Sequence, residues 1–210
     1  MNEADAKAWL VDTLDVSRET LEKLDALRAL VIEASKAQNL ISAASIEAFW
    51  VRHIVDSAQL LLHSPSSADS WLDLGTGAGF PGVVIAMLVD TPVHLVEERR
   101  KRHEFLSATV AALGLETVTV HGCRVEALNL GTVGVITARA FAPLPKLLSL
   151  GQRFSRKGTV WLLPKGKSAK EELESITDAW QGVFHVEQSI TDPESAIIVA
   201  RGVRAGAKTR

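Results

Sequence analysis

The spacing of apolar positions changes once along the chain. Leu21, Leu24, Leu27, Val31 and Ala34 recur three and four residues apart behind Ser17, which predicts an amphipathic helix with Ser17 as its N-cap. A second helical stretch, 46–62, places Phe49, His53, Ile54 and Leu61 at similar intervals, until His63-Ser64-Pro65-Ser66-Ser67 breaks the pattern. From Trp71 onward, short apolar runs at 71–74, 93–97, 117–121, 133–137 and 159–163 alternate with helical segments. The clearest of those helices is 99–113, closed by Gly114. A polar helix at 168–180 and two further strand-like runs, 183–189 and 196–200, complete the chain; Thr191-Asp192-Pro193-Glu194 lies between the last two.

Continuous apolar strands separated by helices signify a parallel sheet covered on both faces, and two strands joined by a short turn can pair antiparallel. The expectation is an α/β chain of the doubly wound type: a helical subdomain at 1–63 packed on a Rossmann-like domain at 64–210. Five parallel strands finished by an antiparallel element match a methyltransferase-type Rossmann fold, though a plain Rossmann fold fits the pattern alone equally well. No internal repeat is present.

Composition narrows the class. With 210 residues, 47% apolar and 23% charged, the chain suffices for one sizeable core. The start is acidic, and the strongest apolar run, 83–89, is far too short to cross a bilayer, so a cytoplasmic location without membrane contact is expected. The single cysteine, Cys123, cannot form an internal disulfide or a multi-cysteine metal site, and no metal is expected. The net charge of -2 conceals segregation: residues 1–63 hold ten acids and six bases, whereas 139–170 hold eight bases and no acid. Arg201, Arg204, Lys208 and Arg210 extend the basic character at the end. Such a surface suits a polyanion, because phosphate neutralisation supplies much of nucleic-acid affinity.

Asp73-Leu74-Gly75-Thr76-Gly77-Ala78-Gly79 links the first strand to a helix opening at Pro81, where doubly wound folds bind a ligand. Two cofactor classes claim this loop. Gly77-Ala78-Gly79-Phe80-Pro81-Gly82 is a literal dinucleotide fingerprint, and Glu97 at the end of the second strand suits ribose hydroxyls of either class. Pro81, however, offers no N–H to a pyrophosphate. Asp73 would repel that pyrophosphate while favouring the ammonium and sulfonium of S-adenosylmethionine. No Lys-Ser or Lys-Thr follows the glycines, so a P-loop is excluded.

The fourth strand ends in Thr137-Ala138-Arg139-Ala140-Phe141, without the Asp/Asn-Pro-Pro-Tyr/Phe motif of exocyclic amine methylation. Cys123 lacks the Pro-Cys context suited to attack on a pyrimidine ring. An acceptor with its own lone pair, such as guanine N7, needs only in-line approach and exclusion of water. Arg139 is placed to meet the acceptor edge or a phosphate.

Asn39-Leu40-Ile41-Ser42, Arg52-His53-Ile54-Val55-Asp56-Ser57, Asp73 through Gly82, Ala138-Arg139-Ala140-Phe141 and Leu163-Pro164-Lys165-Gly166-Lys167 together resemble the ordered motifs of the RsmG (GidB) family. These bacterial enzymes methylate guanine N7 in 16S ribosomal RNA, and the resemblance covers roughly 39–167. It implies a class I S-adenosylmethionine-dependent methyltransferase fold and 16S rRNA or the small ribosomal subunit as partner, with a monomer expected. It further implies that Gly75, Phe80, Val125, Glu126 and Arg139 contact S-adenosylmethionine. Glu97 stands where the family usually has aspartate.

The expected donor set is therefore Asp73, Gly75, Gly77, Gly79, Phe80, Glu97, Val125, Glu126 and Arg139, with Arg139, Lys165 and Lys167 toward RNA. No residue is assigned to chemistry itself. Arg52, His53 and Asp56, at helical spacing, border cofactor or RNA, or else form a structural cap or intrahelical pair. The five tryptophans are scattered singly and read as packing. Two alternatives remain: an NAD-dependent oxidoreductase using the literal fingerprint, and a non-catalytic RNA-binding assembly factor.

Overall fold

The computed structural model describes residues 1–176 and 179–206. Helix α1 (Glu3–Leu14) begins with a capping box in which Asn2 and Asp5 satisfy each other's backbone N–H. Helix α2 (Arg18–Gln38) starts where the Ser17 side chain accepts from the Thr20 N–H, and buries Leu24, Leu27 and Val31. Asn39, in the left-handed region, ends it. The stretch expected as one helix over 46–62 is instead broken into four pieces: α3 (Ala43–Glu47), a π-helical turn (Trp50–Val55), α4 (Asp56–Ala58) and a 3-10 turn (Gln59–His63).

From β1 (Trp71–Leu74) the chain alternates: α5 (Gly82–Ala86), β2 (Val93–Val96), α6 (Arg100–Ala112), β3 (Val118–His121), β4 (Val135–Thr137), α7 (Leu144–Gly151) and β5 (Val160–Lys165). Helix α8 (Ala169–Glu174) and the hairpin β6 (Trp180–Gln188) and β7 (Ala196–Ala205) follow. The polar helix expected at 168–180 is shorter and β6 begins earlier, because the hairpin extends its pairing to Trp180 opposite Ala205. Positions 177 and 178 of that helix, and Lys208 and Arg210 of the basic tail, lie outside the described residues.

The seven strands are ordered β3-β2-β1-β4-β5-β7-β6. The first five pair in parallel, while β7 runs antiparallel between β5 and β6. The reversal of strand order at β1 and β4 opens a crevice beyond their carboxyl ends, where doubly wound sheets bind ligands. Central strands β1 and β4 are buried throughout, and their two polar side chains, Asp73 and Thr137, bond each other. One face of the sheet packs with α5, α6 and the N-terminal helices in a single apolar cluster that joins Leu10, Leu27, Trp50, Val83 and Leu106. The other packs under α7 and α8 around Leu148, Phe154 and Trp161. Of the apolar run at 83–89, residues 83–86 lie in the wholly buried α5, and 87–89 follow it half-buried. No helix of the described residues is long and apolar enough to cross a membrane.

Candidate active site

Two cavities open beyond the sheet's carboxyl edge, and the segment 140–142 lines both. The smaller, about 270 Å³, lies among Gly75, Glu97, Val125, Glu126 and Phe141. The larger groove, about 1180 Å³, lies among Arg52, His53, Asp56, Arg139, Lys165 and Thr191. The residues expected to hold a donor therefore divide: Gly75, Glu97, Val125 and Glu126 meet at the small cavity, whereas Arg139 lines the groove.

The glycine loop is shaped from below. Asp73 is 1% exposed, and its carboxylate accepts from the Gly82 N–H (2.9 Å) and the Thr137 hydroxyl (3.1 Å). It thus ties β1 to β4 and to the start of α5, and its oxygens are engaged inside the fold. Burial pushes its carboxyl up to about 6, with the Gly82 and Thr137 donors pulling the other way. The same bond closes the anion site of a dinucleotide fold, since Pro81 has no N–H and the Gly82 N–H is spent on Asp73. Gly75, Gly77 and Gly79 all have positive φ. At Gly75 the demand is double: φ is +69°, and an added Cβ would stand 2.2 Å from Cδ2 of Phe141.

Glu97 is buried at the end of β2, with Oε2 accepting from the Gly77 N–H (3.1 Å) and Oε1 from the Arg99 N–H (2.8 Å). Each carboxylate oxygen accepts one bond and keeps acceptor capacity, and Glu97 lines the small cavity. A glycine cradle with an acid at its edge fits a ligand bearing ribose hydroxyls, as S-adenosylmethionine does. Phe80 is placed otherwise: its ring is buried, stacked on His53 at 4.6 Å between centroids and set edge-on to Phe49 at 5.7 Å.

The groove is built from distant segments. In the π-helical turn, the Asp56 N–H bonds the carbonyls of His53 and Val51 and skips that of Arg52. The released Arg52 carbonyl accepts from Nη1 of Arg139 at 3.0 Å. Nη1 also meets Oδ2 of Asp56 at 3.2 Å, and Nη2 donates to Nδ1 of His53 at 3.1 Å. The guanidinium carbon sits 5.4 Å above the Phe80 ring. Accepting at Nδ1 leaves His53 neutral with its proton on Nε2. Burial, then the cations Arg139 and Arg52, push its pKa down to about 3. His53 and Asp56 thus act on Arg139 across the fold rather than as a pair within their own helix.

The acid-free run 139–170 does not survive folding as a uniform basic patch. Arg139 pairs with Asp56, Arg156 with Asp69, Lys165 with Glu172 (2.7 Å) and Lys167 with Glu194 (2.8 Å). Arg153 is spent on the carbonyls of Val125, Glu126 and Leu128. Lys165 stands at the groove but its side chain is only 10% exposed, whereas that of Lys167 is 76% exposed. Lys146, Lys157 and Lys170 are exposed without an ion pair among the described residues. Arg99, Arg102, Arg124 and Lys146, none of them in the expected set, line the small cavity. The signal for Arg99 and Arg102 was the run Arg99-Arg100-Lys101-Arg102, cations at a helix start where acids are favoured, whereas nothing local marked Arg124 or Lys146. Among the described residues no group of three or more His, Cys, Asp or Glu could hold a metal.

Comparison with known proteins agrees with this fold. The chain is similar to ribosomal RNA small subunit methyltransferase G of Erythrobacter litoralis, with 50% identity over 95% of this chain and 96% of that one. The protein of the same name from Rhizorhabdus wittichii is 49% identical over 99% of this chain and 96% of its own length. Among solved structures, cofactor-bound Rv0187 from MTB superposes with a TM-score of 0.66 at 17% identity, covering 96% of this chain and 98% of that one. A SAM-dependent methyltransferase from Aquifex aeolicus gives 0.59 at 18% identity, covering 80% of this chain and 96% of that one, so both show the methyltransferase-type fold. The family described as GidB, rRNA small subunit methyltransferase G, matches residues 20–199, and the chain belongs to that family.

Proposed function

We propose that this protein transfers the methyl group of S-adenosylmethionine to N7 of a guanine in 16S ribosomal RNA, acting as a cytoplasmic monomer on the small subunit. The family assignment supports the reaction class and the RNA. The observation that carries the site assignment is the wall at 140–142 between two cavities of different character. The small cavity, lined by Gly75, Glu97, Val125 and Glu126, is the donor side, and Gly77 and Gly79 shape the loop that holds Gly75 there. When bound there, S-adenosylmethionine supplies an electrophilic methyl on a sulfonium.

The groove is the acceptor side. Three of Arg139's five N–H donors are used within the protein, leaving Nε–H and one Nη2–H for the incoming RNA. A donor directed at guanine O6 holds the base while N7 stays free to accept the methyl. Because N7 carries its own lone pair, no side chain has to remove a proton, and the groove's histidine, His53, is held neutral and buried. Asp73 and Phe80 act from behind, fixing the loop and the Arg139 platform. Phosphates of the RNA lie against the exposed Lys167 and Lys146, and Lys165 holds the 142–144 segment through Glu172 until RNA competes for it. The helices of 1–63 are a helical subdomain packed on the sheet, whose part is to present Arg52, His53 and Asp56 to the groove.

The test is transfer of labelled methyl from S-adenosylmethionine to small subunits from a strain lacking this gene, with digestion to nucleosides. Label in 7-methylguanosine at one site is expected; incorporation elsewhere, or none, would refute the reading. Saturable binding of NAD without binding of S-adenosylmethionine would instead revive the oxidoreductase alternative.

A further inference from the structure

Asp56 joins three segments at the groove, bonding Gln59 beside it, Arg139 after β4 and Thr191 in the β6–β7 turn. Oδ2 meets Nη1 of Arg139 at 3.2 Å, while Oδ1 accepts from the Thr191 hydroxyl and from Nε2 of Gln59, both at 3.0 Å. Gln59 in turn accepts from the Ile190 N–H at 3.0 Å, so the carboxylate is fixed from the turn of the β6–β7 hairpin as well as from its own helix. The Asp56 and Arg139 side chains are only 17% and 22% exposed, shielded enough for their charges to act on each other rather than on solvent. A pair intended only to join two segments would not need to stand at the mouth of the acceptor groove with two guanidinium donors unused.

The reaction proposed above moves a charge. The N7 lone pair forms a bond to the methyl carbon, the carbon–sulfur bond breaks, and its electron pair stays on sulfur. The positive charge therefore passes from the sulfonium to the base, and no proton is exchanged. A bare guanidinium beside that base would oppose the step by like-charge repulsion in a site shielded from water. We propose that Asp56 is a positioning residue for methyl transfer: it holds Arg139 in one orientation and cancels its charge, so the acceptor base meets a hydrogen-bond donor with no net cation behind it. The inference rests on the guanine-N7 reading, and the wild-type protein serves as the control that separates the two.

Asp56→Asn keeps the shape and an acceptor for Thr191 or Gln59 but removes the charge. Its single-turnover rate is expected to fall by roughly tenfold to a hundredfold, as when one preorganised electrostatic group is lost. Affinity for small-subunit RNA, measured without donor, should be unchanged or tighter, with a salt dependence steeper by about one unit as Arg139 becomes available to phosphate. A merely structural residue would weaken both. Asp56→Glu, which restores the charge, should recover part of the rate. Should Asp56→Asn fold poorly, the pair of variants Arg139→Gln and Asp56→Asn/Arg139→Gln decides, because neither double nor single then buries an unpaired cation. Equal rates for these two are expected. A further loss in the double variant, or an Asp56→Asn rate within threefold of a wild type that does form 7-methylguanosine, would overturn the proposal. A wild type that forms none would refute the reaction itself.

Discussion

The donor cavity and the acceptor groove share the wall at 140–142, yet they are assembled in different ways. The donor cavity is made where neighbouring strands end: the loop after β1, Glu97 after β2 and the Val125–Ala127 turn after β3 lie side by side because their strands pair in register. The groove draws on segments far apart in sequence, with Asp56 meeting Arg139 across 83 positions and Thr191 across 135. A site at the ends of adjacent parallel strands follows from the fold itself. A site across a helical unit, a strand end and a hairpin turn depends on how the outer elements pack. The second is therefore where a change in one partner should be felt through another.

The largest expected contrast comes from paired variants, one on each side. Arg139→Lys cannot bridge the Arg52 carbonyl, Asp56 and His53 and still offer two donors, so kcat should fall on the order of 100-fold. Its affinity for S-adenosylmethionine should stay within a few-fold, measured by calorimetry. Gly75→Ala should do the reverse, weakening donor affinity by about tenfold or more, because positive φ costs roughly 1–2 kcal/mol before Phe141 must move. Loss of donor affinity in Arg139→Lys equal to its loss of rate would erase the division between the two sides.

A stability measurement sharpens the foundation beneath the loop. The folded Asp73 carboxyl keeps its proton up to about pH 6, whereas the unfolded one releases it near the ordinary aspartate value of 3.8. The folded state thus binds more protons between those values, and wild-type stability loses this contribution as pH rises through the window. An asparagine can accept from Gly82 and donate to Thr137 without charge. Asp73→Asn should therefore gain stability relative to wild type from pH 4 to pH 6, by on the order of 2 kcal/mol, and hold that difference above pH 7. Denaturant titrations across the range check it; a difference that stays flat would show that the buried carboxyl does not titrate there. The smallest effect is expected from Lys167→Ala, whose cation is exposed and already paired with Glu194. RNA affinity should drop about twofold to threefold with rate unchanged, as for a single rim phosphate contact.

The contrast also explains what could be read from the sequence. The parallel strands, the Ser17 cap and the glycine loop were legible, because each is written in neighbouring residues: Trp71-Leu72-Asp73-Leu74 runs directly into the glycines that turn the chain. Their places just after the second and fourth strands put Glu97 and Arg139 at the carboxyl edge of the sheet. The π-helical turn was not legible, since 46–62 carries a regular helical spacing and nothing local announces the skipped Arg52 carbonyl. Nor was the fate of the acid-free run, because the acids that pair with it, Asp56, Asp69, Glu172 and Glu194, come from other segments. Asp73 had the chemistry expected of a donor ligand, yet its carboxylate turned inward to hold Gly82 and Thr137.

Amide hydrogen exchange with and without S-adenosylmethionine tests the division between donor cavity and acceptor groove most directly. The account predicts added protection at 75–79, 97–99 and 125–127, with 52–56 and 189–191 unchanged until RNA is also present. Protection confined to 52–56 and 189–191, with the glycine loop exchanging as before, would contradict it.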